Sequence, residues 1–151
     1  MDKKKILKWV GYIIVPFIFA GFGLLLGGGT DIYEQINKPF FAPPAWLFPV
    51  VWSILYLLMG ISYGLTEEKL SDSAKKNYYL QLIFNSVWML WFFRLNWFLI
   101  AFIWLVALFY FVFKMYKDFK SQNEVAGNLQ IPYLIWLVIA GLLNLSIVFL
   151  N

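Results

Sequence analysis

Polar and apolar positions fall in long blocks along this chain. Trp9–Thr30, Pro39–Thr66, Asn77–Phe93, Leu95–Phe113 and Val125–Asn151 contain no Asp, Glu, Lys or Arg, and short charged stretches separate them. A helix needs about 20 apolar residues to cross the hydrocarbon of a bilayer. The blocks therefore predict five helices, at about Ile6–Leu26, Pro44–Thr66, Lys76–Phe93, Trp97–Tyr116 and Leu129–Leu150. A membrane β-barrel would instead show alternating segments of roughly ten residues with frequent turns. The expected architecture is an all-α membrane protein, a five-transmembrane-helix bundle forming a single domain over residues 1–151.

Punctuation supports this division. Gly27-Gly28-Gly29 closes the first helix, and Pro16 removes one backbone hydrogen bond within it. Thr30 to Pro43 is the longest expected non-helical connection, and Pro44 suits the first turn of the second helix. EEKLSDSAKK (Glu67–Lys76) and KDFKSQNEVAGN (Lys117–Asn128) read as solvated loops, and Arg94-Leu95-Asn96 as a tight turn. Gly23/Gly27 and Gly60/Gly64 are small-xxx-small pairs that let helices approach closely. The N-terminal apolar run is too long for a signal-peptide core and lacks a small-residue cleavage site, so it reads as a retained helix.

Composition narrows the picture further. Hydrophobic residues make up 62% of the 151 and charged residues 13%, against about half and a quarter in soluble domains. All of the twelve basic residues except Lys38 and Arg94 fall at the N-terminus or in the second and fourth connections. Basic residues favour the cytoplasmic side, so the expectation is a cell-membrane protein with its N-terminus cytoplasmic and its C-terminus outside. Membrane lipid is the partner implied by the net charge of +4, and no nucleic-acid partner is expected.

There is no cysteine and no histidine. That excludes disulfides, thiol nucleophiles and His- or Cys-ligated metal, and no metal site is expected. Ser53, Ser62, Ser86 and Ser146 have no histidine to activate them and read as packing residues. No acidic residue lies within a predicted helix, which argues against a proton relay.

Three helix faces carry the remaining chemistry. Asn77, Gln81 and Asn85 form a stripe at i, i+4 and i+8, extended by Trp88; Trp52, Tyr56, Met59 and Tyr63 form another; Tyr133, Trp136, Ala140 and Asn144 form a third. The amides could serve as interhelical glue or as a polar cavity lining. Trp9, Trp46, Trp91 and Trp97 suit an interfacial belt, whereas Trp52, Trp88, Trp104 and Trp136 fall well inside helices. Aromatic faces with a few polar handles, turned toward one another, would make a small-molecule pocket.

The same residues carry a family resemblance. Tyr33, Lys38-Pro39, Pro43-Pro44, Trp46, Phe48, Trp52, Tyr56 and Met59-Gly60 form one block; Gln81-Leu82, Asn85 and Trp88 a second; Pro132-Tyr133-Leu134, Trp136, Ala140 and Leu143-Asn144 a third. In order and spacing they resemble the TspO/MBR family, the tryptophan-rich sensory proteins and translocator (peripheral benzodiazepine receptor) proteins. The resemblance runs from about Tyr33 to the end. It implies a five-helix fold, a homodimer, and a bundle pocket for porphyrins, haem-like tetrapyrroles and synthetic isoquinoline or benzodiazepine ligands. No obligatory cofactor is implied.

By resemblance, Trp52 and Asn85 hydrogen-bond the ligand, while Tyr33, Pro43, Phe48, Tyr56, Trp88, Trp136 and Ala140 wall it. Trp52 and Trp136 also stand where some bacterial members are implicated in light-dependent porphyrin degradation. A porphyrin exporter and a membrane scaffold with a vestigial pocket are the competing readings. Two departures are visible: Ile32 and Phe41 occupy positions where the family often carries tryptophan. The last helix ends LNLSIVFLN, without the Tyr and basic residue of the animal sterol motif.

Overall fold

The computed structural model describes all 151 residues. It contains helices α1 (Lys3–Gly27), α2 (Ile32–Gln35), α3 (Leu47–Thr66), α4 (Asp72–Met89), α5 (Phe98–Gln122), α6 (Glu124–Asn128) and α7 (Ile131–Leu150), and no strand. A 3₁₀ turn at Glu67–Lys69 extends α3, and a π-helical turn at Leu90–Arg94 extends α4. Together they form an all-α membrane bundle of five long helices. Four of these, with their extensions, are long and apolar enough to cross a membrane by composition alone. The exception is α4, which carries Asp72, Lys75, Lys76 and the three amides.

Local chemistry sets the ends of the helices and shifts several of them from expectation. The Asp2 carboxylate accepts from the Lys5 backbone N–H at 2.8 Å, so α1 begins three residues before Ile6. Gly28 then stops it in the left-handed conformation at φ 70°. Pro44 does not open α3: its carbonyl accepts from Leu47 N at 3.0 Å in a preceding turn, and Pro49 is the proline of the first helical turn. The stretch Glu67–Lys76 is not a loop throughout. The Ser71 hydroxyl accepts from Ala74 N at 3.1 Å and starts α4 at Asp72.

Lys117–Asn128 is likewise mostly helical. Phe119 is completely buried and draws α5 on to Gln122; Asn123 then caps α6 by accepting from Ala126 N at 3.1 Å. Burial of one phenylalanine is worth roughly 1.5–3 kcal/mol, enough to outweigh the polar residues around it. The Thr30–Pro43 connection also contains a helical turn, α2.

The long helices form a ring in the order α3, α1, α4, α5, α7. Between α7 and α3 the ring closes through side chains: Phe48 meets Trp136 edge to face at 5.6 Å, and Trp52 meets Tyr133 at 5.8 Å. The bundle is solid toward the end that holds the N-terminus. Tyr63 stacks on Tyr78 at 4.3 Å, and Met59, Leu82, Leu108 and Phe119 are fully buried. There α1 and α3 touch, because Gly60 and Gly64 leave room for Tyr12–Ile13 and for the Trp9 ring. The outer surface carries Ile14, Phe22, Ile54, Leu57, Ile103, Val106, Ile135, Val138 and Leu142, all exposed. A continuous apolar girdle of this kind is at home in lipid.

Candidate functional site

Toward the other end the helices separate around a cavity of about 440 Å³, within the range of small-molecule sites. Successive turns of α3 deliver Phe48, Trp52 and Tyr56 to it. α4 delivers Asn85 and Trp88, and α7 delivers Trp136 and Ala140. Tyr33 closes it from α2. The structure thus gathers eight of the nine expected site residues in one wall. The exception is Pro43, which does not reach the cavity. Its carbonyl instead accepts from the Tyr33 hydroxyl at 2.6 Å, so its part is to hold the tyrosine.

The wall is made of aromatic contacts in sequence. Tyr33 packs edge to face on Phe48 at 5.1 Å, and Phe48 does the same on Trp136. Trp52 lies stacked over Tyr56 at 5.5 Å, with 27° between the planes. Trp88 stacks on Phe92 at 4.8 Å. Offset and edge-to-face pairs of this kind fix ring orientation and add about 0.5–1.5 kcal/mol each beyond burial.

Polar groups enter this apolar surface at few points. Asn85 Nδ2 donates to the hydroxyls of Tyr56 at 3.4 Å and Tyr133 at 3.3 Å; Tyr133 in turn donates to Gln81 Oε1 at 3.0 Å. The Asn85 carbonyl oxygen receives no hydrogen bond from the chain and stays available to a ligand donor. Trp88 Nε1 donates to Asn144 Oδ1 at 3.2 Å, and Asn144 Nδ2 donates to the Phe98 carbonyl at 2.9 Å. The indole N–H of Trp136 is buried without any acceptor, and that of Trp52 also has none in the chain. A buried unpaired N–H costs about 1–3 kcal/mol; that of Trp136 has no surface open to the cavity, whereas that of Trp52 is free to meet a ligand acceptor.

The amide stripe of α4 therefore divides its labour. Asn77 is interhelical glue, donating to the Phe111 carbonyl at 2.9 Å. Gln81 is buried one turn below the cavity, bonded to Tyr133 and, at 3.7 Å, to the Met59 sulfur. Only Asn85 faces the cavity. The α3 face divides in the same way, with Met59 and Tyr63 in the solid core. Trp104 is structural: it donates to the Phe84 carbonyl at 2.8 Å and stacks on that ring.

The lid over the cavity is Thr30–Trp46. Lys38 Nζ sits 4.9 Å over the Tyr33 ring and donates to the carbonyls of Tyr33 at 2.5 Å and Ile36 at 3.3 Å. The Asn37 backbone N–H donates to Asn151 Oδ1 at 3.0 Å and its carbonyl accepts from Asn151 Nδ2 at 2.9 Å, tying the lid to the end of α7. Burial, with Glu34 adding to it, pushes the Tyr33 phenol above its ordinary pKa, so it stays a donor at neutral pH. Phe41 is exposed, its ring meets that of Phe40 edge to face, and neither it nor Ile32 lines the cavity.

Sequence reasoning missed the contribution of α1, which adds Phe17, Ala20, Gly21 and Leu24 to the wall. Their spacing is helical, but α1 is apolar all round, so no face stands out. It also missed the π-helical turn, in which Leu95 N bonds to Leu90 O at 3.0 Å and which carries Phe92 and Phe93 to the cavity.

Comparison with known proteins identifies the family. The model of the TspO/MBR family matches residues 8–150. Protein CrtK of Rhodobacter capsulatus is 38% identical over 124 residues, covering 79% of this chain and 78% of its own. The tryptophan-rich protein TspO of Archaeoglobus fulgidus is 34% identical, covering 97% of this chain and 98% of its own. The translocator protein of Ovis aries is 30% identical, covering 89% and 85%. With nearly its whole length matched and its five long helices gathered around one aromatic cavity, the chain belongs to the TspO/MBR family.

Proposed function

We propose that the protein is a membrane receptor, acting as a sensor, for flat and mostly apolar ligands of the tetrapyrrole class. The observation that carries this reading is the cavity itself. It is aromatic, uncharged, and lined by the rings of Trp52 and Trp136, and the Trp52 indole N–H has no acceptor in the chain. A porphyrin offers extended π faces to such rings. Its pyrrole N–H groups suit the open Asn85 carbonyl, and its peripheral carboxylate oxygens suit the Trp52 indole. The names of the relatives, a tryptophan-rich sensory protein among them, point the same way. The basic N-terminal end lies in the cytoplasm in this reading, with the lid on the opposite side.

Protoporphyrin IX titrated into the protein in nanodiscs tests the proposal through quenching of tryptophan fluorescence. Saturable quenching at micromolar pigment is expected. Asn85→Ala and Trp52→Phe should each weaken it about fivefold to tenfold, the loss of one hydrogen bond in a site without water. Absence of saturable quenching, or wild-type affinity in both variants, would overturn it. Illuminating the saturated protein then asks whether Trp52 and Trp136 take part in pigment breakdown.

A further inference from the structure

The cavity wall is uneven in depth. Every α4 and α7 residue that lines it is buried or half-buried. On α1, however, the lining residues Phe17, Gly21 and Leu24 are also exposed, and so are Ala45 in the turn before α3 and Pro49 and Ser53 at its start. Each trio follows helical spacing, so each is one edge of a slot running along the two helices. A Cβ built on Gly21 meets no atom within 4 Å, so the slot is open there.

Two further observations give the slot a direction. At the opposite end α1 and α3 are held together at Gly60 and Gly64, and Phe17 meets Tyr56 edge to face at 5.8 Å, so the slot is closed on that side. The lid across the top, by contrast, is braced within itself, Tyr33 to Pro43 and Lys38 to Tyr33 and Ile36, and is tied to the end of α7 through Asn37, which bonds Asn151 and Leu150. The chemistry of the slot suits hydrocarbon. Its one side-chain polar group, the Ser53 hydroxyl, is spent on the Pro49 carbonyl at 2.7 Å. No unsatisfied side-chain donor there needs water.

Resting on the reading of the cavity as a ligand site, we propose that the α1–α3 slot is a portal. The ligand passes sideways between cavity and bilayer, and the lid stays shut. The protein then samples compounds dissolved in the membrane, and a flat apolar ligand never has to cross water. The lid acts as a fixed roof whose tyrosine and lysine shape the site.

Stopped-flow quenching by protoporphyrin IX in nanodiscs separates the two routes. Leu25→Trp with Val50→Trp adds bulk beside the two edges of the slot, one turn from Gly21 and next to Pro49, at exposed residues that do not line the cavity. Association and dissociation should both slow by about tenfold while Kd stays within about threefold, the signature of a gate rather than of a lost contact. Asn37→Ala with Asn151→Ala loosens the lid at residues that do not line the cavity, and should leave both rates within about twofold.

Unchanged rates in the slot variant, a change confined to dissociation, or faster association in the lid variant would each overturn the portal. Should the double slot variant fail to assemble, Val50→Trp alone carries the same expectation at reduced size. If the unmodified protein shows no quenching, the ligand reading fails, and that result is distinct from a wrong route.

Discussion

The two halves of the bundle use the same helices in opposite ways. Toward the N-terminal end, α1 and α3 meet through glycines, Tyr63 lies flat on Tyr78, and Met59, Leu108 and Phe119 have no exposed surface. Toward the lid, the same α3 presents Trp52 and Tyr56, whose size holds α7 away and leaves a cavity. Small residues close one half and large residues prop the other open. The difference suggests that stability resides in the closed half, which frees the open half to carry unsatisfied indoles.

The largest test of that division is Gly60→Leu. Even a Cβ at this position would meet the Tyr12 carbonyl oxygen at 2.6 Å and Ile13 Cα at 2.8 Å, both backbone atoms. Overpacking costs about 1–3 kcal/mol, and rigid backbone puts this site at the upper end. A fall in thermal midpoint of several degrees is expected. If the midpoint holds, the glycine contact is not what anchors the closed half.

Tyr133→Phe probes the boundary between the halves. It leaves Gln81 Oε1 buried without its donor and removes one of the two hydroxyls that Asn85 reaches. A loss of about 1–2 kcal/mol in unfolding free energy is expected, with a smaller change in porphyrin affinity. A larger effect on affinity than on stability would move Tyr133 into the binding half.

The smallest expected effect is at the lid. Tyr33 has a raised pKa in the folded state, so the stability its protonated form contributes is complete below the ordinary tyrosine range and is lost as pH rises through the raised value. Hydrogen exchange over residues 30–43 should therefore be flat to about pH 9 once corrected for intrinsic rates, and should rise only above the usual tyrosine pKa of about 10. Tyr33→Phe should show the faster exchange at every pH.

Much of this was legible in the sequence where one residue type dominates one physical task. The uncharged blocks marked the apolar helices, Gly28 marked the end of α1, and Trp52, Asn85 and Trp136 stood on faces that do converge. The polar segments were harder to read. Ser71 and Asn123 are both capping residues within charged stretches, and the stretches concealed the helices that those residues start. Phe119 extends α5 through a contact with α4 at Tyr78, 5.9 Å away between ring centres, and sequence spacing does not show that contact. Pro44 satisfied the rule for a helix start, yet so did Pro49, and only the turn bonds distinguish them.

The π-helical turn at Leu90–Arg94 bears on how the family's sequences can be aligned. A π-turn amounts to one residue inserted into an α-helix, and each residue advances an ideal helix by about 100°. The phase of everything after Met89 is therefore offset from that of Asn85 and Trp88. That offset lets Phe92 and Phe93 both border the cavity while Arg94 reaches across to the Leu25 carbonyl at 3.0 Å. A relative lacking one residue here would keep every upstream position and lose the register of all that follow in the turn. A single-residue gap at this point would then mark a cavity with a different floor plan, even where the tryptophans are unchanged.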